Sequence, residues 1–259
     1  MDELHLQLVE LKQSFLPFIA ENHPSIIIAR DDQNVSMKEY VLKLVNAIEK
    51  EIKLGKKQVG WKLGFGSQAG LKALGINRPL IGALFDSGEI RSNTKIDLEA
   101  VIEQRVEAEL AAHISSDIPS DATFDQIKNC ISSLVAGIEF VDFHSPPKSP
   151  AFVLSENIYQ RGWIVDADKR TGWGDGVNNC QITATMGPER WEPFENIETL
   201  IGTLEDNFGE CNLVANQLGR GILRDDVILL GSMFPPHPVN MSDFVVSMNG
   251  SEIALGFKS

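Results

Sequence analysis

Four acidic residues mark where this chain could do chemistry. Glu107 and Glu109 lie two apart in Arg105-Val106-Glu107-Ala108-Glu109-Leu110, and Glu139 and Asp142 follow in Gly137-Ile138-Glu139-Phe140-Val141-Asp142. On a strand, residues i and i+2 share a face, so Glu107 and Glu109 would converge; on a helix they would point nearly opposite ways. Converging carboxylates are hard oxygen ligands for Mg2+ or Mn2+. The surrounding LEAVIEQRVEAELAAHI is rich in Ala, Leu and Glu, which favours helix, and on a helix the same acids form a solvated face. Glu139 sits inside an apolar run from Leu134 to Val141, where a carboxylate is costly unless paired or bound to metal.

Lys62, between Trp61 and Leu63, is the second group of interest. It is either an ordinary surface lysine or a partly buried cation that holds a carboxylate or oxyanion. The stretch Gly64 to Gly70 that follows has GxGxxxG spacing rather than GxGxxG, and no βαβ unit with an acid at its second strand comes after it, so it is a poor dinucleotide loop. The five histidines show no metal-ligand spacing; His144, near Asp142, is a minor candidate. No GxSxG elbow occurs, and nothing marks Cys130, Cys180 or Cys211 as a nucleophile.

These residues need elements to hold them. Helical spacing predicts a helix over Leu4–Phe18, and a second after Ser36, which forms a capping box with Glu39 and stops near Gly55. Gln58–Leu63 is expected to be a strand, and Ser67–Leu74 a short helix closed by Gly75. Helices are also expected over Asp121–Val135, with Thr123 as N-cap, and over Thr199–Leu218, weakened by Gly202 and Gly209. Strand patterns cover 135–141, 161–166, 181–186, 226–230, 244–248 and 253–257. Turn clusters lie at 145–150, 170–179 and 234–238, and Asn249-Gly250 marks a hairpin. Helices first and a strand-rich body after them indicate an α+β fold: N-terminal helices over 1–75, packed on a body over 76–259.

The 259 residues carry 23 Lys plus Arg against 36 Asp plus Glu, a formal net charge of −13. That balance speaks against nucleic acid as a partner, which needs a basic footprint. Three cysteines without a CxxC pair speak against a disulfide framework or a thiolate zinc site. The acidic, amphipathic start lacks a signal-peptide pattern and no apolar run is long enough to span a bilayer, so a cytoplasmic protein with no membrane partner is expected.

Taken together and in order, the segments from Ser36 to Phe257 resemble the 2-keto-4-pentenoate hydratases and their 4-oxalocrotonate decarboxylase relatives, of the fumarylacetoacetate hydrolase superfamily. Residues 60–67, GWKLGFGS, resemble the family's G-[YF]-K-[IV]-G-L-T-S. Leu74-Gly75-Ile76 and the stretch from Pro79 to Phe85 resemble the LGV and P.(F/Y)G.LF segments. Arg105 to Glu109 resembles the RVExE metal motif, Ile138 to Asp142 the strand with the third ligand, and Asp226 to Ser232 the GD.(V/I)LTG segment. The resemblance implies a mixed β-roll or sandwich with helices around it. It implies a strand at Glu107 and Glu109, which with Glu139 would hold Mg2+ or Mn2+. It also implies Lys62 as a catalytic residue beside the substrate, with Gly64, Ser67, Asn157 and Ser232 around it. The implied activity is that of a lyase, hydrating or decarboxylating a small unsaturated or dicarboxylic 2-oxo acid through an enolate, as in aromatic catabolism, in a homo-oligomer.

The chain departs from that pattern at Leu80, where the family commonly has an acid, and at Tyr159, in the D-N-A-S-x-G segment that keeps Asn157. The late glycine-rich turn is replaced by NIETLIGTLEDNFGE. Two further readings therefore stand: a non-catalytic 2-oxo-acid binder or partner of an active paralogous subunit, and a superfamily C–C hydrolase or oxaloacetate decarboxylase.

Overall fold

The computed structural model describes residues 37–98, 103–143, 147, 149–167, 177, 180–192 and 196–258. The helix expected over Leu4–Phe18, Ser36 of the expected cap, His144 and most of the 170–179 turn lie outside what is described.

Helix α1 (Met37–Lys53) is followed by strand β1 (Gln58–Gly64) and helix α2 (Gln68–Leu74). The α2 ends follow the sequence: the Ser67 hydroxyl accepts from Gly70 N, and Gly75 closes it at φ 63°. Next come β2 (Leu80–Phe85), β3 (Thr94–Asp97) and β4 (Gln104–Ile114), then α3 (Phe124–Asn129) and β5 (Ile131–Asp142). After α4 (Pro150–Ser155) and a tight turn over Asn157–Tyr159, the chain forms β6 (Gln160–Val165), β7 (Ile182–Met186) and β8 (Glu189–Trp191). Helices α5 (Ile197–Ile201) and α6 (Leu204–Gln217) precede β9 (Val227–Ser232), β10 (His237–Pro238), β11 (Phe244–Met248) and β12 (Ser251–Lys258). Among the described residues, no helix is long and apolar enough to cross a membrane.

The strands form two sheets, one in the order β2-β1-β9-β4-β5-β6 with β10 beside β4, the other β3-β12-β11-β7-β8. Parallel pairs (β1 with β9, β12 with β3) mix with antiparallel ones, so the fold is α+β with mixed sheets, as expected. The larger sheet curls until its ends meet. Ile90 N, beyond β2, donates to Trp163 O on β6 at 2.8 Å, and Trp163 Nε1 donates to Phe85 O at 3.1 Å. Inside this roll, Leu84, Ala111, Val135, Trp163, Val227 and Leu229 form a small apolar cluster. The outer face packs on α6 and, through β5, on the second sheet, where Phe140 meets Phe257 at 6.2 Å.

Several elements differ from their local signals. The 104–114 segment is a strand, paired on both sides, despite its helix-rich composition; sheet pairing and burial override propensity. The helix expected over Asp121–Val135 stops at Asn129, because the apolar run after Cys130 enters the sheet. Its Thr123 cap and Gln126 form a capping box. The helix expected over Thr199–Leu218 is broken at Gly202, at φ 93°. Strand β1, grouped by sequence with the N-terminal helical region, is a strand of the large sheet.

Candidate metal centre

The roll's concave face carries the charged residues. On β4, Glu107 and Glu109 share the inward face. Glu107 stands directly opposite Glu139 of β5, and Glu109 opposite Gly137. One carboxylate oxygen from each of the three glutamates lies within 4.8 Å of the other two, the one such group among the described residues. Gly137 makes room for it: a Cβ there would come within 3.0 Å of Glu109 Cβ and 3.3 Å of a Leu229 methyl. Opposite Glu109, the register of β9 slips by a bulge, and Gly231 N donates to Glu109 Oε2 at 2.8 Å. Bulges commonly re-aim groups in this way.

The electrostatics of the cluster call for a cation. Burial, and then the Glu139 charge, push Glu107 up to about 8, against the pull of Lys62 and Arg105. Glu109 is held well above the ordinary carboxylate range by burial and by Glu107 and Glu139; Lys62 and the Gly231 N–H oppose this. Glu139 is raised by burial and pulled back by Lys62. Three hard oxygen donors, mutually repulsive, two of them buried and Glu107 half-buried, match Mg2+ or Mn2+ rather than a softer ion.

Lys62 is as buried as its partner: both it and Glu139 are 1% exposed. Its Nζ donates to Glu139 Oε1 and to Ile158 O, the latter at 3.3 Å. Room for the lysine comes from Gly82, its partner across β1 and β2, where a Cβ would lie 3.1 Å from Lys62 Cγ and 2.9 Å from Asn157 Oδ1. Asn157, Ile158 and Tyr159 all have positive φ, 48°, 53° and 61°. For a β-branched residue such as Ile158 this is a strained conformation.

A cavity of about 470 Å³ opens over the cluster, lined by Lys62, Gly64, Ser67, Glu107, Glu109, Glu139 and Ser232 among others. Ser67 is occupied as the α2 cap, and Ser232 Oγ donates to Phe234 O at 2.6 Å. Asn157 is the expected site residue that does not line it. Its side chain accepts from Ala83 N at 2.9 Å and donates to Ala83 O at 2.8 Å, so it clamps the strained turn to β2 and borders a second cavity instead. Asp142 sits an odd number of residues from Glu139, turns to the opposite face and lies 3.8 Å from Arg161. Leu80 is buried in β2 and Tyr159 packs on Phe143; neither lines the cavity. The Gly64–Gly70 loop leads from β1 into an antiparallel β2, not a parallel βαβ unit.

The apolar wall, which includes Phe65, Val141, Phe143, Leu200, Ile201 and Phe234, was not read from the sequence. For β5 a signal existed: the period of two that places Glu139 inward also places Val141 and Phe143 there.

No family model matches the chain. A 2-keto-4-pentenoate hydratase from Burkholderia vietnamiensis (strain G4 / LMG 22486) is 36% identical over 89 residues, and the match spans about a third of each protein, 34% of both. Among solved structures, the 4-oxalocrotonate decarboxylase from Pseudomonas putida G7, complexed with magnesium and adipate, superposes with a TM-score of 0.76 at 16% identity, over 98% of both chains. A fumarylpyruvate hydrolase from Pseudomonas aeruginosa, in complex with Mn2+ and pyruvate, gives 0.54 at 12% identity, over 76% of this chain and 88% of the other. The chain therefore has the fold of the fumarylacetoacetate hydrolase superfamily, and its resemblance to the hydratase and decarboxylase group extends from sequence segments to the whole described fold.

Proposed function

We propose that the protein is a Mg2+- or Mn2+-dependent lyase, a hydratase or decarboxylase, that acts on a 2-oxo acid through its enolate. The observation that carries this reading is the convergence of Glu107, Glu109 and Glu139 on the wall of a largely apolar cavity that also holds the Lys62 ammonium. Support comes from two structural neighbours, a decarboxylase complexed with magnesium and a hydrolase in complex with Mn2+ and pyruvate.

The three glutamates would hold the ion, which would supply Lewis acidity toward the carboxylate and 2-oxo oxygens of the substrate. Glu139 can serve both sides, since a carboxylate has two oxygens: Oε1 receives Lys62, and the residue belongs to the three-carboxylate group. Gly231 N–H fixes the Glu109 rotamer. Lys62 Nζ, held by Glu139 and Ile158 O, is the remaining titratable group among the described lining residues, and it would orient the developing enolate oxygen and carry the proton to carbon. The largely apolar lining lowers the local dielectric and so strengthens these interactions.

The binder reading draws on Leu80: among the described lining residues, none beyond the three glutamates offers an acid in place of the one expected there, which leaves Lys62 for proton transfer.

The test is deuterium exchange at C3 of 2-oxobutanoate in D2O, followed by NMR. Exchange that needs Mg2+ and stops with chelator, with Glu109→Ala and with Lys62→Met is expected. Bound metal without exchange would favour the binder; exchange indifferent to chelator would exclude the metal route.

A further inference from the structure

Resting on that reading, we infer that the site takes a 2-oxo acid with one carboxylate and an extended apolar tail, and that Phe143 sets this preference by covering the Arg105 guanidinium. The charged lining groups, Lys62 and the three glutamates, are gathered in one cluster. Glu139 and Val141 on β5 and Phe143 just past its end all line the cavity, and at about 3.4 Å per residue Phe143 stands up to about 14 Å beyond Glu139. Between them runs apolar wall, completed by Phe65, Leu200, Ile201 and Phe234. A volume of about 470 Å³ falls within the roughly 300–1,000 Å³ of sites that enclose drug-sized ligands. That is more than a five-carbon acid fills.

A distal carboxylate would need a cation at the far end. Lys62 is the one cation among the described lining residues, and it is engaged at the metal end by Glu139. Arg105 is the next in reach, on the inward face of β4 opposite Val141. Its Nη1 donates to Pro236 O at 3.2 Å and its guanidinium lies 5.9 Å from the Phe143 ring centre. Pro236 and Phe143 line the cavity; Arg105 does not. Phe143 is held in place by the buried Tyr159, ring centre to ring centre 5.0 Å. Among the described residues, a carboxylate at the tail's end would thus meet apolar groups and no cationic partner, which is strongly unfavourable, whereas methylenes gain from burial.

The test is calorimetry on the Mn2+-loaded protein with four probes: oxalate, 2-oxobutanoate, 2-oxooctanoate and 2-oxoadipate. Expected is at least tenfold tighter binding of 2-oxooctanoate than of 2-oxobutanoate, with 2-oxoadipate no tighter than 2-oxobutanoate. Phe143→Ala is expected to narrow the ratio between 2-oxooctanoate and 2-oxoadipate at least fivefold. Should that variant not fold, Arg105→Gln decides the same point: the ratio is expected to stay unchanged. Oxalate binding without a tail preference, 2-oxoadipate binding tightest, or a selective loss of 2-oxoadipate in Arg105→Gln would overturn the tail assignment alone. Failure of oxalate itself to bind would overturn the metal-chelate reading along with it.

Discussion

Lys62 Nζ reaches Glu139 Oε1 although their strands are not neighbours: β9 and β4 lie between β1 and β5. In a flat sheet three strand spacings of about 4.8 Å would separate them by about 14 Å. The contact exists because the sheet curls until Trp163 meets the chain beyond β2. The charged site is thus a product of closure of the roll.

Loss of Lys62 should expose how the pair depends on metal. A buried charge stripped of its partner costs about 3–5 kcal/mol. Lys62→Met is expected to destabilise the metal-free protein by about that amount and the Mn2+-loaded protein by much less, because the ion then balances Glu139. Urea denaturation with and without Mn2+ measures it; equal losses in both would mean that the ion does not neighbour Glu139.

Acid should weaken metal binding. Glu107, pushed up to about 8, binds a proton in the metal-free fold at neutral pH, which the ion must displace, and the upward shift of Glu109 acts in the same direction. Mn2+ affinity is therefore expected to rise from pH 6 to pH 8, with proton release that calorimetry in two buffers can count. The same shifts fix the stability trend. A carboxyl whose folded pKa lies above its ordinary value of 4.5 adds stability fully below that value, and the contribution is lost as pH rises through about 8. The melting temperature of the metal-free protein should fall over that window, with a flatter profile once Mn2+ is bound. A flat metal-free profile would contradict the raised values.

Asn157 should act through position. Asn157→Ala removes both hydrogen bonds to Ala83 and frees a turn that holds Ile158 at φ 53°. A loss of about 1–3 kcal/mol is expected, with kcat falling more than KM rises, because Ile158 O no longer steadies Lys62. A pure KM effect would instead place Asn157 at the substrate.

Gly82 should tolerate no side chain. Its Cβ would press on Asn157 Oδ1 and Lys62 Cγ, so Gly82→Ala is expected to cost about 1–3 kcal/mol and to lower turnover. Full activity in that variant would show that Lys62 need not lie against β2.

Much of this site could be read from sequence only where its signal is local. Spacing of two put Glu107 and Glu109 on one face once a strand was assumed, but the Ala- and Glu-rich composition pointed to helix, and pairing with β5 and β9 decided it. The N-cap at Thr123 and the Asn249-Gly250 hairpin, with φ 52° and 84°, obeyed local rules. The helix end at Asn129 did not, since burial of 131–142 in the sheet is a tertiary effect. Asn157 lies in the expected segment, but its amide faces Ala83, a partner 74 residues away that no motif reveals. The same holds for Leu200 and Ile201, placed on the cavity by a helix pair whose break at Gly202 redirects the chain.

If Glu107, Glu109 and Glu139 bind one divalent ion that a 2-oxo acid head can chelate, Mn2+ titration by calorimetry, with and without oxalate, will show it. One ion per chain, bound more tightly with oxalate and lost in Glu109→Ala, is the expected result. Binding that survives Glu109→Ala, or a folded protein that takes up no Mn2+ at pH 8, would contradict it.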